Sequence, residues 1–141
     1  MTPQDLAAAA ARAMWNDDSA SQRLGMSLDQ IAPGAATLSM TVTDAMSNGH
    51  GHCHGGYIFT LADSAFAFAC NSYNDRVVAQ HCSVSYLEPV RIGDRLTATA
   101  RETSRRGRSG IYDVRITNQD NIHVAEFRGH SRVVKGTHVP V

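Results

Sequence analysis

One carboxylate, Asp63, stands inside an otherwise uncharged run, Gly55–Cys70, that reads GGYIFTLADSAFAFAC. Taking an ionised carboxyl group out of water is costly unless something compensates it, so Asp63 is either paired or put to use. We read it as used. Just ahead of the run lies NGHGHCHGG (residues 48–56). Gly55 and Gly56 have no Cβ, so a ligand atom can approach their N–H groups closely. Free donors at a helix start, with the positive end of the helix dipole, suit a carbonyl oxygen that becomes negative during reaction. The alternative for the glycines is a tight turn. His54 is not one of the usual Ser, Thr, Asp or Asn caps, so the first N–H groups are expected to lack side-chain partners. Asn48, followed by Gly49, either makes an Asx turn or offers its amide to a water or a carbonyl.

The same loop carries His50, His52, Cys53 and His54, ligand types that suit zinc. No second ligand cluster appears in the chain, and a metal is not expected. Cys53, Cys70 and Cys82 are an odd number without CxxC spacing, which favours a reducing cytoplasm over a disulfide scaffold. The 141 residues carry 13 basic and 13 acidic side chains, so attraction to nucleic acid or anionic lipid is not a global property. The early alanine run has Asp5 before it and Arg12 within it, unlike a signal peptide, and no stretch approaches the ~20 apolar residues of a membrane span.

The elements that must position these groups follow from the pattern. Residues 1–25 read as an N-terminal helical segment: Thr2 can cap, Pro3 suits the first turn, and Asp18–Met26 can add a second short piece. Ala36–Thr43 then alternates as a half-buried strand, and Gly55–Asn71 reads as the central helix, apolar nearly all round. Alternation returns around Cys82–Tyr86, Leu96–Arg101, Tyr112–Thr117 and, less cleanly, Ile122–Val134. The polar joints Arg91–Asp94, Arg105–Ser109 and Asn118–Asn121 have the size and chemistry of antiparallel connections. One apolar helix and at least four one-faced strands predict an α+β domain, residues 1–141, with an antiparallel sheet curled around the helix.

The segment Asn48–Asn71, NGHGHCHGGYIFTLADSAFAFACN, resembles the signature of hotdog-fold acyl-CoA thioesterases, of the bacterial phenylacetic-acid-degradation (PaaI) type. The likeness continues through VSYLEPVRIGDRLTATA (84–100), GIYDVRITNQD (110–120) and FRGHSRV (127–133). The resemblance implies hydrolysis of aromatic acyl-CoA thioesters, phenylacetyl-CoA or hydroxyphenylacetyl-CoA, in the cytoplasm, a chemistry that requires no organic cofactor. It implies Asp63 as catalytic carboxylate, the Gly55 N–H as oxyanion donor, and Asn48 as positioner of water or carbonyl. It further implies sites formed between two subunits, with Asp63 of one chain facing Gly55 of the other, and a homotetramer built as a dimer of dimers. His54 and Gly56 would shape the site, and Tyr57 and Phe59 the acyl pocket. Arg106 and Arg108, with Arg105, Arg128 and Arg132, are candidates for the coenzyme A phosphates. Three other readings keep the scaffold: a medium-chain acyl-CoA thioesterase, an enoyl-thioester hydratase or dehydratase using His54 with Asp63, and a non-catalytic acyl-CoA-binding module.

Overall fold

The computed structural model describes all 141 residues. Helix α1 (Pro3–Asp17) begins with a reciprocal cap: the Asp5 N–H donates to Thr2 Oγ1 at 3.0 Å, and the Thr2 N–H to Asp5 Oδ2 at 3.1 Å. Helix α2 (Ser19–Arg23) follows, then strands β1 (Ser27–Ala32) and β2 (Ala35–Thr41). After a short 3-10 turn (Asp44–Met46) come helix α3 (Gly55–Cys70) and strands β3 (Asp75–Tyr86), β4 (Arg95–Arg106), β5 (Ser109–Thr117) and β6 (His123–Thr137). All strands pair antiparallel in one sheet of order β1-β2-β4-β5-β6-β3. The helix lies across the sheet, as the hotdog likeness implies. Sequence reading missed β1, whose SLDQIA lacks a clear period; it exists because Gly34, at φ +74°, turns the chain back onto β2.

The register explains how the helix is seated. Leu38, Ala98, Ile116 and Ala125 stand opposite one another across four neighbouring strands, and all are fully buried. The small residues on β4, Ala98 and Ala100, leave depth for the side chains of α3. On β6 the approach is closest: a Cβ added to Gly129 would lie 2.6 Å from the Phe66 ring. Ile58, Leu61, Ala62, Ala65, Phe66 and Ala69 form the buried face of α3.

Two features depart from the expected picture. Helix α3 is not covered all round: Gly56, Thr60, Asp63 and Ala67, at four- and three-residue spacing, form a stripe that the sheet leaves partly open. Strand β3 is an edge strand, paired only to β6, and most of it is exposed, including Val78 at 49% and Tyr86 at 51%.

Candidate functional site

The loop ahead of α3 is tied down by its own backbone. The His54 N–H donates to the Met46 carbonyl at 2.7 Å, the Cys53 N–H to the Val90 carbonyl at 2.8 Å, and His52 bridges to Arg91. Asn48 organises the turn: its Oδ1 accepts from the His50 N–H at 2.8 Å and the His52 N–H at 3.1 Å. The Asx-turn reading is thus the observed one, and it commits the side-chain oxygen to the loop. What Asn48 can still offer outward is its NH₂, a donor suited to a carbonyl oxygen.

The expectation that the first turn of α3 lacks a side-chain cap is corrected. His54 Nδ1 accepts from the Gly56 N–H at 2.9 Å, which makes His54 the cap and requires the neutral tautomer with its proton on Nε2. The Tyr57 N–H donates to the His54 carbonyl at 3.0 Å. The Gly55 N–H has no partner within the chain. The Gly55 N–H therefore stands open at the helix start.

Asp63 makes no ion pair with any of the twelve arginines and no side-chain hydrogen bond. Half-buried on the open stripe, it has its carboxyl pushed above the usual carboxylate range, first by burial and then by the negative charge of Asp18. Asp18 is held close by a relay in which Ser21 Oγ donates to Asp18 Oδ2 at 2.6 Å and lies 2.8 Å from Ser64 Oγ. Asp63 and Gly55 are eight residues apart, or about 12 Å along one helix. A single chain cannot bring them onto the same carbonyl.

Tyr57 and Phe59 are half-buried beside the helix start. The Tyr57 ring meets the His54 ring edge-on at 6.2 Å, and Phe59 stacks edge-on against Phe127 at 5.4 Å. The arginines fare differently. Arg106 and Arg108 flank the β4–β5 turn, and Arg108 lines a cleft with Cys70 and Tyr73 at the end where α3 terminates. Within one chain they are not brought to Gly55, because β4 runs the length of the helix. Arg128 is engaged by Asp113 through two bonds of 2.7 and 2.8 Å, which hold the Asp113 carboxyl below its ordinary range. Arg105 lies 3.5 Å over the Tyr73 ring, and Arg132 points one guanidinium nitrogen at Ser109 Oγ, 3.4 Å away. Arg91, which sequence reading passed over as a coenzyme A candidate, has its backbone bridged to His52 in the loop ahead of α3.

The histidine-rich loop does not gather its ligand types: no three His, Cys, Asp or Glu side chains converge as a metal site would require. Cys53 is buried, its thiol pushed up to about 11 by burial and by Asp94. Sequence reading also missed Tyr86, whose hydroxyl donates to the Gly55 carbonyl at 2.9 Å.

Comparison with known proteins gives a consistent picture. A sequence model of the thioesterase superfamily matches residues 50–125. The chain is 45% identical to the acyl-coenzyme A thioesterase PaaI of Escherichia coli K12 over 127 residues, 90% of this chain and 91% of that one. The solved E. coli PaaI structure, from the phenylacetic acid degradation operon, superposes with a TM-score of 0.94 at 43% identity, covering 96% of this chain and 99% of the other. The phenylacetic acid degradation protein PaaI of Thermus thermophilus, solved as a single-site mutant, gives 0.80 at 33% identity, with 83% and 100% covered. A Streptococcus mutans UA159 protein bound to acetyl-CoA gives 0.77 at 28% identity, with 79% and 90% covered.

Proposed function

Because the chain belongs to the thioesterase superfamily, we propose that it hydrolyses acyl-coenzyme A thioesters with aromatic acyl groups, phenylacetyl or hydroxyphenylacetyl, in a site shared by two copies. One observation carries this reading: Asp63 is a half-buried carboxylate with no partner in its own chain, while the Gly55 N–H on the same helix is a donor with none. Two copies joined antiparallel along the free edge of β3 would set the Asp63 of each against the Gly55 of the other. The edge is suited to pairing, being long, exposed and free of proline.

In such a site the Gly55 N–H, aided by the helix dipole and the Asn48 NH₂, holds the thioester oxygen and stabilises the negative charge that develops on it. Asp63 acts by one of two routes. As base it takes a proton from water; the water oxygen bonds to the carbonyl carbon, the C–S bond breaks, and the thiolate leaves as the free acid forms. As nucleophile its own oxygen bonds to that carbon, expelling the thiolate, and water then cleaves the mixed anhydride. A single turnover in oxygen-18 water tests the choice: label in Asp63 requires the second route, with water attacking the aspartyl carbonyl of the anhydride. A thioester needs no more than this, because its carbonyl is already electrophilic and its thiolate leaves readily.

Tyr57 and Phe59 supply apolar walls for an aromatic acyl group, and Gly56 lets the His54 ring close over the helix start, where a Cβ would meet Nδ1 at 3.0 Å. Arg106 and Arg108 reach the coenzyme A phosphates only from another subunit, so that role belongs to the assembled oligomer, a dimer of dimers. No helix is long and apolar enough to cross a membrane, and the three cysteines are free, which suits work in a reducing cytoplasm. The hydratase reading would have to use His54 through Nε2 alone, since its Nδ1 is bound to Gly56.

The test is a complementation. Asp63→Asn and Gly55→Val chains, each inactive alone towards phenylacetyl-CoA in a thiol-release assay, are mixed and allowed to exchange. Random pairing makes half the dimers mixed, each with one intact site, so about a quarter of wild-type activity returns. No recovery from fully exchanged chains would refute the shared site.

A further inference from the structure

The peptide unit joining Gly55 to Gly56 is gripped at both ends. Its N–H donates to His54 Nδ1 at 2.9 Å, and its carbonyl accepts from the Tyr86 hydroxyl at 2.9 Å. The grips come from different parts of the fold: His54 is the cap of α3, whereas Tyr86 ends strand β3. The tyrosine ring also lies against residue 55 itself, where a Cβ would meet Tyr86 Cζ at 2.9 Å and Oη at 3.0 Å.

We propose that Tyr86 is a positioning residue for the oxyanion donor: by holding the Gly55 carbonyl, it fixes the direction of the Gly55 N–H. This rests on the reading of that N–H as the group that binds the thioester oxygen. The reason is conformational. Glycine has the widest choice of φ and ψ of any residue, so a donor carried by Gly55 is poorly aimed unless its neighbours restrain it. Helix hydrogen bonding restrains it least at the first residue, where the N–H has no intrahelical partner. Anchoring the next peptide plane from both sides removes that freedom before substrate arrives, and a donor that needs no reorganisation is worth most in the transition state. A side chain at position 55 would have to push the ring aside and so break this grip. The Tyr86 hydroxyl hydrogen-bonds to neither Asp63 nor Asn48, and its one bond is to Gly55.

The experiment uses the full chain with phenylacetyl-CoA as probe. Tyr86→Phe keeps the ring and deletes only the hydroxyl. It lowers kcat about five- to tenfold with KM and melting temperature unchanged, less than the hundredfold or more that follows loss of an oxyanion donor. Tyr86→Leu, which also loses the ring, lowers kcat further, so that Phe is a partial rescue of Leu. Wild-type kcat in Tyr86→Phe, or a change in KM alone, overturns the positioning role. Asp63→Asn is measured in parallel: if it is inactive while Tyr86→Phe is normal, only the positioning role falls. If Asp63→Asn retains full activity, the hydrolytic site itself is wrong and the role of Tyr86 falls with it.

Discussion

At the scale of single residues, Asp63 carries opposite consequences for activity and for stability. Its proposed role needs the ionised form, so Asp63→Asn is expected to lower kcat for phenylacetyl-CoA by at least about a hundredfold, measured by thiol release. Stability moves the other way. The ordinary carboxyl value is 3.8, and in the folded chain burial and Asp18 raise it. The folded state therefore holds a proton that the unfolded state releases, and stability falls as pH rises from 3.8 through the folded value. Asparagine is free of that loss: the variant should melt above the wild type near about pH 7, and the two should converge near about pH 3. A lower melting temperature for Asp63→Asn near neutrality would contradict a raised carboxyl. His54 makes a second residue-level test, since its Nδ1 caps Gly56. His54→Ala should cost about 0.5–2 kcal/mol in denaturant unfolding, and His54→Asn, a better natural cap, should recover most of it.

At the scale of elements, the seating of α3 on the sheet decides where the open stripe points. Gly129 is the tightest point of that contact, with the Phe66 ring where a side chain would begin. Phe66 is itself wedged between Tyr112 and Phe127, with ring centroids 5.8 Å away in each case, so it has little room to retreat. Gly129→Ala should destabilise by about 1–3 kcal/mol in urea unfolding while KM is left unchanged in the folded fraction. A neutral result would mean that helix and sheet are more loosely packed than the register implies. The helix was legible in the sequence because GGYIFTLADSAFAFAC offers many apolar positions and two glycines at its start. Strand β1 was not legible, because SLDQIA takes its strand geometry from pairing with β2 rather than from any alternation of its own.

At the scale of the whole molecule, the distance between Gly55 and Asp63 along one rigid helix makes association part of the proposed chemistry. Val78 is an exposed apolar residue on β3, opposite Arg132 of β6. Val78→Lys would add a cation beside Arg132 and oppose edge-to-edge pairing. Sedimentation velocity should then show smaller species, and turnover should fall in step with the loss of dimer. A fully active monomer would refute a site made by two copies. Arg106 and Arg108 belong to this scale as well: they sit at the far end of α3 from Gly55, so any phosphate they hold must reach them across the assembly.

The sequence by itself determined the helix, the four alternating strands and the presence of a carboxylate in an apolar run, because these follow from local periodicity and the cost of burying charge. It also carried the family likeness through the Asn, the glycine pair and the aspartate at their spacing. Tertiary structure alone decided that His54 caps the helix, that Asn48 commits its oxygen to its own loop, and that Tyr86 reaches Gly55 from 31 residues away. Those are contacts between segments, fixed by the register of β3 and the fold of the loop. No pattern within either segment encodes them, because the energy that selects them appears only when the segments meet.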